Sequence, residues 1–395
     1  MGVPGEAFPM RFQFWIPVSL TVALCAVCLL VPHSTRAGEV APADYKVLDP
    51  IRHGNLTVFP VVGPKSHDTS EFLTLDEGLK SGEVEVTEAG NVRGLIRRHG
   101  APVVQRDAAE VNRLVLVNNS KRPLLLLAGE IVAGGKQDRV IGKDRIVPPE
   151  SDPVDLSVFC VEPGRWVATS ERFGPSGTMY GGGSTSGLQG GTLMAQPSVR
   201  AKAMGDKNQN EVWAAVREQK AAISADLVAS ESLNPTAGPP PPPAAIAGTS
   251  SYARVMENEA VKKHVDEVAA PMEHDYQSLI RQLKDRNAVG VVVAMNGRVV
   301  WTDVFASTEL LEKYWPKLVR SYASEAVVSR AKGAEVTNRQ AQRFLDEMEG
   351  RHETIDSEPG VFRHTEVNGD GFKAFELTSL LPKTGFDLHI AKMSE

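Results

Sequence analysis

LLLLAGEIVAGGKQDRVIGKD, residues 124–144, sets acids, bases and an amide between apolar runs too short to be helices. The four leucines, Ile131-Val132 and Val140-Ile141 are each cut off by glycine or charge within a few residues. Short apolar runs bounded by turn residues read as strands. The polar residues then fall in turns or at strand ends, so the stretch predicts a sheet with a site carried on its rim.

The same pattern extends outward over residues 44–173, with β-type runs at 56–62, 92–96, 114–118, 124–127, 131–132, 140–141 and 156–161, punctuated by Gly, Pro and Asn. A short helix is expected at 74–81, where Thr74 and Glu77 have capping-box spacing. Residues 174–191 are too poor in apolar side chains to pack and read as a Gly-rich loop. Val212, Trp213, Val216, Ile223 and Leu227 then recur at helical spacing over 208–232. A Pro-rich loop at 235–248 comes next, and helical character resumes over 252–283 with a break or kink expected at Pro271. Asn296-Gly297 between 289–294 and 298–304 is a hairpin signature. Helices at 310–332 and 338–349 precede a last β section, 361–392, with a turn at Asn368 to Gly371. The expected fold is α+β: a β-rich N-terminal half, amphipathic helices in the middle, and a β-hairpin with a mixed C-terminal section. The two β sections are expected to build on one another, because the helices and hairpin between them bury little alone.

Before this body, Arg11 precedes an apolar run at 14–31 and then Thr35-Arg36-Ala37. Residues 1–37 therefore read as a secretory signal peptide, with an uncleaved anchor as the alternative. Residues 44–395 read as one α+β domain. The expected location is secreted, periplasmic or otherwise extracytoplasmic, with membrane contact only if the leader stays on. Removing the leader leaves Cys160 as the sole thiol, so no intramolecular disulfide is available and the core must supply stability. A formal net charge of -6 without any Lys/Arg block argues against nucleic acid as a partner.

Glu130, Lys136, Gln137, Asp138, Arg139 and Lys143 cluster around Gly129, Gly134, Gly135 and Gly142. Glycines let backbone amides approach a ligand, and arginine offers a planar fork that suits phosphate and carboxylate. The pattern points to an anionic small molecule. The plainer account makes Gly134-Gly135 a hairpin turn and the charges a solvated rim or internal ion pairs. Glu162, Arg165 and Trp166, beyond a Pro163-Gly164 turn, form a second group in which tryptophan could stack on a base or sugar while arginine binds charge. Cys160 lies mid-strand among apolar neighbours, where a thiol usually behaves as a small hydrophobe. The scattered histidines follow no ligand spacing, so no metal and no cofactor is expected.

With FCVEPGRW, residues 159–166, the 124–144 stretch resembles the secreted domain family named for its association with ADP-ribosylglycohydrolases and rhodanese/phosphatase-superfamily proteins. The likeness extends over the early strands, the Trp213 helix, the hairpin and LLEKYWPKLVRSY, residues 310–322. It implies no established reaction, only a context in processing NAD-derived or ADP-ribosylated molecules, taken from the company such domains keep. Two function classes are open on this basis. In the first, the domain binds or hydrolyses a nucleotide-sugar or phosphorylated metabolite: Arg139 and Lys136 hold the anion, Gln137, Glu162 and Arg165 also contact the ligand, Trp166 stacks, and Glu130 or Asp138 serves as general acid/base. In the second, it is a non-catalytic extracellular interaction module with an unknown protein partner.

Overall fold

A computed structural model of the protein describes residues 1–2, 44–89, 112–175, 191–232, 246, 248–282, 286–329 and 333–395. The chain divides into the units Met1–Glu39 and Val40–Glu395, and the described strands and helices all lie in the second.

The first strands are β1 (Lys46–Val47), β2 (Ile51–His53), β3 (Leu56–Val62) and β4 (Leu73–Thr74). Helix α1 (Leu75–Ser81) starts at a capping box: Thr74 Oγ1 accepts from Glu77 N at 3.3 Å and the Glu77 carboxylate accepts from Thr74 N at 2.8 Å. Then come β5 (Val84–Glu88), β6 (Arg113–Asn118), β7 (Leu124–Leu126), β8 (Glu130–Gly134), β9 (Arg139–Ile141), β10 (Arg145–Val147), β11 (Val154–Cys160), β12 (Arg172–Gly174) and β13 (Leu193–Met194). Helix α2 (Pro197–Ala201) runs into a π-turn, Lys202–Asp206, and continues to α3 (Gln209–Ser232). Helices α4 (Tyr252–Glu257) and α5 (Glu259–Gln282) lead to the hairpin of β14 (Ala288–Met295) and β15 (Arg298–Phe305). The chain closes with α6 (Thr308–Val328), α7 (Asn338–Asp346), β16 (Gly350–Glu358), β17 (Phe362–Gly369), β18 (Phe372–Ser379) and β19 (Asp387–Ser394).

The strands make two main bodies, so the fold is mixed α+β. One is a nine-stranded antiparallel sheet in the order β1-β3-β14-β15-β19-β18-β17-β16, with β2 also on β3. It joins the N-terminal run 56–62 to the C-terminal β section through the β3–β14 ladder. Period-two alternation sends Val291 and Val293 to one face and Val292 and Ala294 to the other. The first face carries α5 and α6, whose stripe of Leu311, Tyr314, Trp315, Leu318, Val319 and Tyr322 is wholly buried. The second packs on Ala341 and Leu345 of α7.

The other body is a barrel. Strands β5, β6, β11, β9 and β8 pair in sequence, and β12 pairs with both β5 and β8, closing six antiparallel strands. Alternate residues fill it: Val84 and Val86, Leu114 and Leu116, Val132, Ile141, Leu156 and Val158, and Phe173. Leu73, Leu75, Leu124, Leu126 and Val147, from α1 and the small sheet β10-β7-β4, join the same cluster and close one end. Outward-facing Ile131, Val140 and Phe159 pack instead against α2, α3 and α4.

Two expectations change. The helical run 252–283 breaks at Asn258 and passes through Pro271. Asn258 leaves helical geometry at ψ 132 and its side chain accepts from Ala260 N and Val261 N, so it caps the next helix. The charged run 350–358, outside the expected final β section, is the edge strand β16, whose exposed Arg, His and Glu side chains discourage pairing with further chains. The expected strand at 92–96, the leader, most of the Gly-rich loop and most of the Pro-rich loop lie outside the described residues. Among the described residues, no helix is long and apolar enough to cross a membrane.

Candidate functional site at the barrel mouth

At the end of the barrel opposite the leucine plug, the strand termini of β5, β8, β9 and β11 bring charged side chains into the interior. Arg139, at the start of β9, stands two residues from inward-facing Ile141 and pairs in register with Cys160 of β11, itself two residues from inward-facing Val158. Alternation therefore turns both side chains inward. Glu88 is reached by the same count from Val84 and Val86 on β5. All three are buried.

The turn that delivers Arg139 depends on glycine. Gly134 has φ 123, and a Cβ there would stand 2.8 Å from the Arg172 carbonyl of the neighbouring strand. Gly135, at φ 49, is likewise left-handed. Arg165 then locks the turn: its Nη1 donates to the Gly135 and Val167 carbonyls, each at 2.8 Å. Its Nη2 reaches Glu162 Oε2 at 2.5 Å and Asp138 Oδ1 at 3.6 Å. Asp138 also accepts from Gly134 N at 3.1 Å and from Ser251 Oγ at 2.7 Å, while Glu162 accepts from Asp138 N at 3.2 Å. At the rim Lys136 Nζ sits 4.9 Å from the centroid of Trp166, which is 44 % exposed.

Arg139 differs from its neighbours in what it lacks. Its Nη1 donates to the Gln137 and Asp138 carbonyls, at 2.7 and 3.4 Å. Nε and Nη2, the edge that binds a carboxylate or phosphate through two parallel hydrogen bonds, have no partner among the described residues. Glu88 Oε2 and Gln137 Oε1 are equally unpartnered there. Leaving a buried donor unsatisfied costs about 1–3 kcal/mol. Burial lowers the Arg139 pKa from its ordinary value, against the opposing pull of Cys160, Glu88 and Asp138. Burial also pushes the Cys160 thiol up, and its backbone is pinned by Gln209, whose side chain bonds Cys160 N and O at 2.8 and 2.9 Å. A thiol so placed is a packed core group.

Lys136, Gln137, Asp138, Arg139, Glu162, Arg165 and Trp166 thus come together at one barrel end. Glu130 does not join them. It sits at the start of β8, where its carboxylate accepts from Leu127 N at 2.8 Å and meets Lys317 of α6 at 2.5 Å. Asp76 meets the same ammonium at 2.7 Å. Burial raises the Glu130 pKa; burial would lower that of Lys317, but Glu130 and Asp76 outweigh it and hold the lysine above its ordinary value. Lys143, at the far end of β9, pairs with Asp356 at 2.6 Å.

Sequence reasoning missed Glu88, Ser251 and Gln209. Glu88 was accessible through the alternation of VEVTE, residues 84–88, which puts the last glutamate on the side of Val84 and Val86. Ser251 and Gln209 arrive from distant segments and carry no local signal. Chemically, the described residues of the mouth offer a guanidinium edge without a partner among them, an exposed ring with a cation over it, and acids tied down by Arg165. No group of three or more His, Cys, Asp or Glu fit to hold a metal occurs among the described residues.

The model of a domain family described as ARG and Rhodanese-Phosphatase-superfamily-associated Protein domain matches residues 44–390. No curated protein and no solved structure matches the chain.

Proposed function

The chain belongs to the ARG and Rhodanese-Phosphatase-superfamily-associated Protein domain family, and on that premise we propose that it binds an anionic nucleotide-sugar of the ADP-ribose type at the barrel mouth. The observation that carries this reading is the Nε–Nη2 edge of Arg139, buried beside Gln137 and without a partner among the described residues. A diphosphate or carboxylate supplies the paired acceptors that this edge requires. Trp166 and Lys136 at the rim suit a base or ribose at the outer end of such a ligand. The geometry favours binding over turnover. Asp138 is engaged by Gly134, Ser251 and Arg165, and Glu130 stands apart from the mouth on Lys317. The reading of residues 1–37 as a secretory leader would give this binding an extracytoplasmic site of action.

Thermal unfolding of the full chain against ADP-ribose, NAD, nucleotides and sugar phosphates tests the reading. A ligand at one hundred times its dissociation constant stabilises the fold by about 2.7 kcal/mol. One compound is expected to raise Tm, with the rise abolished in Arg139→Met and reduced in Trp166→Ala, an exposed change that leaves the core intact. No shift from any compound, or one indifferent to both substitutions, refutes the proposal and favours the interaction module.

A further inference from the structure

A second cavity lies on the nine-stranded sheet, independent of the barrel mouth. It encloses about 560 Å³ between the tip of the β14–β15 hairpin, α2, the last turns of α6 and the end of β19. That volume falls within the range of small-molecule pockets. One side is apolar, made by Pro197, Ala201, Met295, Val300 and Met393. Its shape is fixed from behind: Asn55 Nδ2 donates to Asn296 Oδ1 at 3.0 Å and to the Ala326 carbonyl at 2.9 Å, tying the hairpin tip to α6.

Three polar groups stand in the lining: two charges without a counter-charge among the described residues, and a buried donor without an acceptor there. Glu325 accepts from Ser198 N at 3.1 Å, Ser198 Oγ at 2.7 Å and Gln219 Nε2 at 3.3 Å, yet forms no ion pair with any described residue. Its carboxylate is held in place by neutral donors and meets no counter-charge among the described residues. Trp301 is 1 % exposed and lines the cavity, and its indole N–H has no acceptor. Arg298, at the start of β15, is exposed and forms neither an ion pair nor a side-chain hydrogen bond with the described residues. Among the described lining residues, one anion, one cation and a buried donor stand around an apolar wall, and together they match one ligand chemistry.

We infer that this cavity binds a zwitterion carrying an apolar side chain. The ligand's ammonium pairs with Glu325, its carboxylate with Arg298 and Trp301 N–H, and its side chain packs on Met295 and Met393. A lone amine would meet repulsion from Arg298, and a lone carboxylate repulsion from Glu325. The two sources of this chemistry are a free apolar α-amino acid and a short apolar peptide.

Calorimetric titration of the full chain with leucine, methionine and phenylalanine, and with dileucine and dimethionine, separates these sources. Saturable binding of at least one zwitterion is expected, and the tighter class identifies the source. Isoamylamine, which is leucine without its carboxylate, and N-acetyl-leucine, which lacks the ammonium, should each bind at least tenfold more weakly than leucine. Arg298→Ala should weaken the zwitterion tenfold while isoamylamine, relieved of the repelling guanidinium, binds more tightly than it does to the parent. Glu325→Gln should weaken both, and because Glu325 also anchors α2, the Arg298 variant carries the test if this one misfolds. No saturable binding by any zwitterion, or analogues that bind as well as leucine, overturns the inference.

Discussion

His364 gives the fold a pH dependence that can be worked from its surroundings. It lies on β17, wholly buried, with neither ring nitrogen hydrogen-bonded among the described residues. Through the register His364–Leu377–His389 it shares a row with His389 on β19. Burial pushes the His364 pKa down to about 4 from 6.5. The unfolded chain therefore takes up this proton below pH 6.5 while the folded chain refuses it until about pH 4, so stability falls as pH drops through that window. At 1.36 kcal/mol per unit the full effect is about 3 kcal/mol, of which about 2 kcal/mol is lost between pH 7 and 4.5. His389 works in the opposite direction. Burial would lower it, but Asp144 at 2.6 Å and Asp303 at 3.1 Å outweigh that and push it up to about 9. Its contribution is present below pH 6.5 and fades as pH rises toward 9. Lys392, lowered by burial to about 8, opposes that loss only above pH 8. His364→Leu keeps volume roughly constant and removes the acid limb alone. Urea unfolding followed by tryptophan fluorescence from pH 4.5 to 8 reads the outcome. Between pH 7 and 4.5 the variant should lose about 2 kcal/mol less than the parent. Parallel curves would refute the assignment.

Two further outcomes rest on single side chains. Gly129 has φ 97, and a Cβ there would stand 2.6 Å from Arg200 Cγ and 2.8 Å from its Cδ, so Gly129→Ala should cost about 3 kcal/mol or more and lower Tm visibly; a loss under about 1 kcal/mol would show that Arg200 can move aside. Cys160, buried and with its pKa raised by that burial, should resist iodoacetamide in native buffer and react in urea, as mapped by mass spectrometry of its peptide; labelling of the folded chain would contradict the packing.

Residues whose partners lie close in sequence were legible from the sequence, and those whose partners lie far away were not. Thr74 and Glu77 announce α1 because both halves of its cap fall within four residues. The Asn296-Gly297 hairpin declares itself for the same reason, and so does the buried stripe of α6. Closure of the barrel does not, because it depends on Phe173 of β12 meeting both Val86 and Gly134, contacts that no local pattern encodes. The grouping of Lys136 through Arg139 with Glu162, Arg165 and Trp166 was visible as two polar clusters flanking one pair of strands. That Glu130 leaves the group was not visible, since Lys317, which claims it, lies 187 residues away.

Arg139 and Arg200 are both wholly buried, and the contrast between them shows why Arg139 is the more informative. Arg200 delivers Nη1 and Nη2 to the two oxygens of Asp303 at 3.0 Å each, and Tyr322 and His389 complete the carboxylate's shell. His389 continues to Asp144, and Asp144 accepts from Ala128 N at 2.7 Å, so the chain of charges joins the sheet to the barrel segment. Isolated buried ion pairs add little net stability over apolar packing, but breaking one costs about 3–5 kcal/mol, which fixes how the two bodies meet. A fold that supplies Arg200 with a complete counter-charge can evidently build one. Among the described residues, Arg139, equally buried, is given backbone carbonyls on Nη1 alone, while its bidentate edge has no partner at a mouth where Glu88 Oε2 and Gln137 Oε1 have none either. Were Arg139 there only to stabilise the barrel, a leucine like Leu114 or Leu116 would do so without stranding donors. Its retention at the mouth makes sense if the matching acceptors arrive with a ligand, which is why Arg139→Met separates the two accounts. A structural arginine predicts no change in ligand response and a gain in stability from removing unpaired donors; a binding arginine predicts loss of the ligand-induced shift whatever happens to Tm.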